Sequence, residues 1–439
     1  MSHKNLILSL NAGSSSLKIS LYALREGKAE SDEEPVQLLL TSSVSGISAP
    51  PAKFSFKPSS GNAQSVKDEN IESIHDHASA FAHFLERLEK DASIDRNAIQ
   101  YICHRVVHGG DYVEPVEITN ESYHHIEKLS DLAPLHNGSA LSVIKSCIEA
   151  LPKSKSIAYF DTTFHTSIPV HISSYAIDPE IAKKRGLKKY GFHGLSYAFI
   201  LGAVSKFLNK PTESLNLIIL HLGSGASACA IRAGKSFDTS MGLTPLHGLP
   251  GATRSGTIDP SLIFHYTNKA GRITHDPGMA SDIHVTQAED ILNRKAGWKA
   301  LCGTTDFGII SDKAELDKDD QNGHISKTNL NRLAFDLFVD RILGYVGSYH
   351  LKLGGEVDAL VFSGGIGERS VALRDRIGEK IRCLGYQDVD RDRNGKVAAS
   401  DGAVSEISTG VSRRKILVVK TDEQLEMTRE CVSDKKLWA

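Results

Sequence analysis

Arg105, His193 and Arg254 lie far apart in the sequence, each in surroundings that suit an oxyanion. Arg254 sits in a loop of Gly, Ala, Thr and Ser with almost nothing apolar nearby to pack on. Arg105 ends an apolar run, between His104 and Val106-Val107. A lone arginine at such a rim is by default solvated or paired, yet its guanidinium fork suits a carboxylate or phosphate bidentately. His193 stands between Gly191-Phe192 and Gly194. A histidine beside an aromatic is more often structural than catalytic, but here the glycines let backbone and ring approach a ligand closely. Asp161 directly follows the apolar run 156–160, the place where α/β proteins put working residues. Two small polar turns, residues 11–16 and 223–227, are of a size to cradle phosphate through backbone N–H groups. Neither follows the Walker A pattern, so their glycines must act through hairpin geometry. Fixed cations and backbone donors are what phosphoryl transfer needs, because its transition state spreads charge over three equatorial oxygens.

The elements that hold these residues follow from periodicity. Residues 5–10 and 17–22 read as strands flanking the first turn, and 217–222 and 228–232 repeat that design around the second. The recurrence, at a spacing of 212 residues (223 minus 11), suggests a duplicated domain with one phosphate hairpin per copy. A cleft between the copies is where a nucleotide would sit. Helical spacing covers 71–88, 140–151 and 329–352, the last closed by Gly354-Gly355. Strands are expected at 102–107, 156–160, 358–362 and 415–419. The turn 364–367 should lead into a helix near Ser370, and 387–410 into a polar hairpin. Residues 25–35 and 50–70 read as surface connections or edge insertions. Strands alternating with helices make this an α/β protein.

Composition narrows the partners. The chain has 439 residues, too many for one ordinary core, and a formal net charge of −2. That balance offers no whole-molecule field for nucleic acid or an acidic membrane. The cysteines Cys103, Cys147, Cys229, Cys302, Cys383 and Cys431 are scattered without a CxxC pair, which argues against a disulfide scaffold or thiolate-bound metal and fits a reducing compartment. The apolar start is too short for a signal segment, so a cytoplasmic protein is expected.

The motifs NAGSSSLK, HRVVHGG, LAPLHN, FDTTFH, YGFHGLSY, HLGSGAS, DTSMGLTPLHGLPGATRSGTIDP, SGGIGER and KTDEQL, in this order from Asn11 to Leu425, resemble those of the acetate kinase family. The resemblance implies two duplicated ribonuclease H-like domains of the actin and sugar-kinase type with a cleft between them. The lobes would be residues 1–165 with 425–439, and 166–424, the second serving nucleotide binding and homodimerisation. It implies reversible phosphoryl transfer between ATP and acetate, giving acetyl phosphate and ADP. Arg105 and Arg254 match the family's arginines for the substrate carboxylate and the phosphoryl group in flight, and His193 its transition-state histidine. His136 and His165 also fall in matching motifs, where orienting hydrogen bonds are the better reading. The family treats Asp161 as catalytic. A carboxylate substrate is already ionised at neutral pH (carboxyl pKa near ~4), so Asp161 is expected to orient Arg105 or the metal shell.

Magnesium, with manganese as an alternative, is implied at Asn11 and Glu423. Magnesium keeps several waters, so one amide oxygen and one carboxylate suffice. Ser14, Ser16 and Lys18 are implied on the first phosphate hairpin, and His221, Leu222, Gly223, Ser224 and Gly225 on the second. Asp306, Phe307 and Gly308 align with a further nucleotide motif, and Gly365, Ile366, Gly367, Glu368 and Arg369 with an adenosine-contacting turn. Val107, Leu135, Phe192 and Pro245 would line the acetate pocket, each equally a core residue. An extra methylene there is worth only ~1–3 kcal/mol, so propionate is a plausible alternative acceptor.

The sequence departs from the family at Ser224, Gly308, His247 and 250–252. The first two lie on the nucleotide side and leave pyrophosphate open as an alternative donor, although Gly365 and Ile366 leave room for adenine. A non-catalytic, nucleotide-switched binding or filament protein is the other rival, and it has no use for Arg105, Arg254 and His193 together. Asp390, Asp392, Asn394, Gly395 and Asp401 nearly spell a calcium-binding loop, but glutamate is missing at the last place and flanking helices are not expected.

Overall fold

In the second strand of the chain Leu17, Ile19 and Leu21 share one face and are buried, while Lys18 between them is exposed, as a period of two dictates. The computed structural model describes residues 5–25, 34–59, 64–129, 134–266, 273–274, 285–320, 322–410 and 413–438, with the side chains of 134–136, 273, 274 and 285 outside the description. Two compact units emerge. The first holds the described residues up to Thr163 and those from Asp422, and the second those from Phe164 to Thr421.

The first unit is built on eight strands: β1 (Leu6–Gly13), β2 (Ser16–Leu24), β3 (Val36–Ser45), β4 (Ala52–Pro58), β5 (Val66–Ile71), β6 (Ile99–Val106), β7 (Val116–Glu117) and β8 (Lys155–Phe160). Their order is β5-β4-β3-β2-β1-β6-β8-β7. From β5 to β1 neighbours run antiparallel, β1, β6 and β8 are parallel, and β7 returns antiparallel on β8. The helices His77–Ala92, Pro134–Ala150 and Glu423–Ser433 accompany this sheet.

The second unit carries β9 (Leu217–Leu222), β10 (Ala226–Arg232), β11 (Lys235–Thr239), a separate two-stranded pair β12 (Ile273–Thr274) and β13 (Val285–Thr286), then β14 (Ala359–Ser363), β15 (Val404–Glu406) and β16 (Lys415–Val419). The main sheet runs β11-β10-β9-β14-β16-β15. Antiparallel β11, β10 and β9 are followed by parallel β14 and β16, with β15 antiparallel at the edge. Strand for strand this repeats β3-β2-β1-β6-β8-β7, and the first unit adds only β4 and β5. In the core of the second unit Trp298 and Phe307 pack on Phe335 and Phe338 of the helix Leu330–Lys352. Asn329 caps that helix by accepting from the amides of Asn331 and Arg332, and Gly354 and Gly355 leave it with φ of 65° and 74°.

Several expectations need correction. The first turn is tighter than residues 11–16: pairing continues to Gly13 opposite Ser16, so only Ser14 and Ser15 turn and Asn11 belongs to β1. Of the two readings for residues 50–70, the edge insertion holds and the plain connection does not: Ala52, Phe54 and Phe56 alternate with Lys53, Ser55 and Lys57 and bury their side chains as β4, which with β5 extends the sheet at its edge. The helix expected from residue 71 starts at His77, where Asp76 and Ser79 form a capping box. Gly364 opens a helix itself, Gly364–Arg369, ahead of Val371–Lys380. The polar hairpin 387–410 is instead the helix Arg391–Lys396 and the short β15. Most of 25–35 lies outside the described residues.

Candidate active site

Parallel strands bring their carboxyl ends to one edge, and in the first unit that edge carries four polar side chains. Leu10 pairs with His104 and Arg105 with Tyr159, so Asn11 follows level with Arg105 near the ends of β1 and β6, and Asp161 comes two residues beyond that level, just past β8. Arg105 Nε donates to Asp161 Oδ1 at 2.9 Å and Nη2 to Oδ2 at 2.7 Å, a two-pronged pair on a fully buried carboxylate. Arg105 Nη1 reaches Asn11 Oδ1 at 3.2 Å and Glu423 Oε2 at 3.0 Å, and Asn11 Nδ2 donates to the same Glu423 oxygen at 2.6 Å. Burial works against the guanidinium charge, but Asp161 and then Glu423 outweigh it and hold the pKa above the ordinary arginine range.

Glu423 opens the helix Glu423–Ser433, whose cap Asp422 accepts from the Leu425 amide. Ser9 with Thr428, and Gln424 with Ser20, fasten that helix to β1 and β2. On the first hairpin Ser14 and Lys18 are exposed and Ser16 is half-buried. Val107 is half-buried just past β6. Asn137, which the sequence reading passed over, brackets the next residue: its Oδ1 accepts from the His108 amide at 3.0 Å and its Nδ2 donates to the His108 carbonyl at 3.0 Å. It stands at the end of LAPLHN, and that was the available signal. The side chains of Leu135 and His136 lie outside the described residues.

The second unit assembles the other group. His193 adopts φ 62° ahead of the helix Gly194–Leu208. Its Nδ1 lies 2.8 Å from Ser227 Oγ, which also bonds Tyr197 Oη. His221 stacks obliquely on it, with ring centres 4.6 Å apart. The neighbouring Phe192 is buried and its carbonyl accepts from His165 Nε2 at 2.9 Å. Since a carbonyl only accepts, His165 carries its proton on Nε2, and Nδ1 takes the Ser236 hydroxyl proton at 2.7 Å. Burial pushes the His165 pKa down to about 4, so the ring is a neutral brace near pH 7.

Arg254 lies against the second phosphate hairpin: a side chain on Gly225 would meet its Nη1 at 2.9 Å. The Ala252 amide donates to the Ser224 carbonyl at 2.9 Å, and Trp298 N to Gly251 O at 3.1 Å, tying this loop down. Gly223 N closes the turn on Gly225 O. Gly364 takes φ 74°, where a side chain would meet the Leu222 carbonyl at 2.7 Å, and a side chain on Gly223 would meet the Gly365 amide at 3.9 Å. Gly365 and Arg369 are exposed, Gly367 is buried, and Ile366 and Glu368 are half-buried. Burial raises the Glu368 pKa. Leu222 and Pro245 are buried. Asp306 caps the helix Phe307–Lys313 through the Gly308 amide at 2.8 Å, and the Phe307 ring is spent on Trp298, Phe335 and Phe338. Each unit thus gathers its own set: Asn11, Arg105, Asp161 and Glu423 in one, and His193, His221, the hairpin, Arg254 and the 364–369 helix in the other.

A family model described as the acetokinase family matches residues 6–429. The chain is 47% identical over 457 residues to a probable acetate kinase of Neurospora crassa, covering 99% of this chain and 95% of the relative. It is 48% identical over 437 residues to a probable acetate kinase of Emericella nidulans, with 98% of each covered. Among solved structures, a propionate kinase from Francisella tularensis aligns with a TM-score of 0.79 at 32% identity, over 97% of this chain and 98% of that one. Porphyromonas gingivalis acetate kinase aligns with a TM-score of 0.76 at 28% identity, over 98% and 99%. A chain matched from residue 6 to residue 429, and nearly half identical to relatives that it covers almost end to end, belongs to the acetokinase family.

Proposed function

We propose that this protein catalyses reversible phosphoryl transfer between ATP and acetate, producing acetyl phosphate and ADP. The observation that carries the residue assignment is the Arg105 guanidinium, gripped on one side by Asp161 and facing Asn11 and Glu423 on the other. Acetate is ionised at neutral pH and has no proton for Asp161 to remove. Asp161 is therefore an orienting carboxylate, and Arg105 the fork that binds the substrate carboxylate. Arg254 and His193 stabilise the charge of the phosphoryl group in flight, an electrostatic role that asks for no covalent intermediate. Residues of the two hairpins and of 364–369 hold the nucleotide.

Asn11 and Glu423 would supply an amide oxygen and a carboxylate, the hard donors magnesium accepts when most of its shell is water and phosphate; here the Asn11 amide turns its Nδ2 to Glu423 and its Oδ1 to Arg105. Among the described residues no group of three His, Cys, Asp or Glu side chains could hold a metal. When bound there, the ion would neutralise phosphate oxygens. Homodimerisation through the second unit is supported by the family resemblance and by its exposed Val170, Phe264 and Leu351. Among the described residues no helix is long and apolar enough to cross a membrane, and placement in the cytoplasm rests on cysteine usage. Likeness to a propionate kinase keeps propionate as the alternative acceptor. The test is product formation, trapped as the acyl hydroxamate, with acetate, propionate and butyrate against ATP or pyrophosphate. Acetate with ATP is expected to be fastest. A preference for pyrophosphate, or for butyrate, would overturn the assignment.

A further inference from the structure

The calcium-loop lookalike at 390–401 turns out to have an internal use. Asp390 caps the helix Arg391–Lys396, accepting from the amides of Asp392 and Arg393 at 3.0 and 3.1 Å. Asn394, by contrast, is fully buried and faces Arg374, which is only 1% exposed. Arg374 Nε donates to Asn394 Oδ1 at 2.5 Å and Nη2 to the Asn394 carbonyl at 3.0 Å. Its remaining arm, Nη1, donates to the Gly367 carbonyl at 2.8 Å. Asn394 Nδ2 in turn donates to Asp375 Oδ1 at 2.6 Å and to the Val371 carbonyl at 3.2 Å.

The chemistry gives this bracket a purpose. The helix Gly364–Arg369 is too short to hold itself, and the Gly367 carbonyl is among its terminal acceptors with no partner inside the helix. A planar guanidinium with three fixed arms supplies that partner and ties it to a segment 27 residues further on (394 minus 367). Gly378, on the helix Val371–Lys380, lets the Val389 side chain press directly on the backbone, so the two segments are in close register.

We propose that Arg374 and Asn394 are positioning residues for nucleotide recognition, setting the height at which the 364–369 helix presents Gly365 and Ile366. The proposal rests on the reading that this helix contacts the nucleotide. Asn394→Asp replaces the donated proton with a carboxylate oxygen facing Asp375, and the repulsion should loosen the bracket. The KM for ATP is expected to rise roughly tenfold, with kcat and the KM for acetate changed less than about twofold. Adding Asp375→Asn restores an amide donor opposite the new carboxylate and should return the KM for ATP close to the wild-type value. Arg374→Lys keeps a charge but loses the three-armed plane, and should behave like Asn394→Asp.

Gly365→Leu separates the proposal from the reading beneath it. A β-carbon there would meet nothing within 4 Å beyond its own helix backbone and chain neighbours, so the added bulk is directed at the ligand. A raised KM for ATP in Gly365→Leu with an unchanged one in folded Asn394→Asp would overturn the bracket proposal alone. An unchanged KM for ATP in Gly365→Leu would overturn the reading and the proposal with it. A joint loss of melting temperature, kcat and both KM values in Asn394→Asp, unrelieved by Asp375→Asn, would show a merely structural pair.

Discussion

Arg105 owes its orientation to its neighbours, so replacing a neighbour should cost nearly as much as replacing Arg105 itself. In Asp161→Asn the guanidinium keeps one acceptor but loses the two-pronged hold that fixes its plane. Turnover should fall on the order of 100-fold, in the range seen when an oriented charged donor is lost. Arg105→Lys should fare no better, since an ammonium cannot fill the fork. Steady-state kinetics on both variants checks this, and activity within a few-fold of wild type in Asp161→Asn would contradict the orienting role. His104 makes a separate prediction. Burial holds its pKa down to about 3 in the folded chain, against about 6.5 unfolded. The unfolded state therefore binds the proton first, and the neutral ring's stability is complete above the unfolded value and lost as the pH falls toward about 3. At pH 5 the loss relative to pH 7 should be about 2 kcal/mol from this residue. His104→Gln, able to keep the Ser156 hydrogen bond without titrating, should lose correspondingly less in denaturant unfolding at the two pH values.

At the scale of elements, the entry into the helix Gly364–Arg369 is the most exposed to test. Gly364 combines φ 74° with a would-be side chain 2.7 Å from the Leu222 carbonyl. Gly364→Ala should destabilise the protein by about 1–3 kcal/mol through backbone strain and raise the KM for ATP. Unfolding and kinetics read the two effects separately, and an unchanged melting temperature would refute the strain. Periodicity made the long elements legible: 415–419 is β16 as read, and 329–352 is the Leu330–Lys352 helix with its cap. It left β4 unresolved, because the alternation of Ala52, Phe54 and Phe56 was present but the surrounding Pro, Ser and Lys allowed a surface connection as well as an edge insertion. Residues 387–410 were misread because Asp and Asn favour turns and helix caps alike, and only the fold shows Asp390 capping and Asn394 buried.

For the whole molecule, the repeated hairpin was the clue that survived: both units share an antiparallel triplet, two parallel strands and an antiparallel edge strand. The motifs contain Arg105, His193 and Arg254, and each is set among partners of its own unit. Ser227, which bonds His193 and Tyr197, and Asn137, which brackets His108, stand inside the same motifs, but their pairing was not legible there, because a hydrogen-bond partner exists only once the chain has folded. The second unit's exposed apolar side chains belong to this scale as well. Sedimentation should show a dimer, and a monomer at working concentration would remove the assembly proposal without touching the chemistry. The central claim, phosphoryl transfer from ATP to acetate under Arg254, is tested most directly by measuring acetyl phosphate formation in the wild type and in Arg254→Ala, with ADP binding measured alongside. The wild type should make acetyl phosphate, and Arg254→Ala should bind ADP yet turn over roughly 1,000-fold more slowly. Undiminished turnover in Arg254→Ala, or no acetyl phosphate from the wild type, would contradict it.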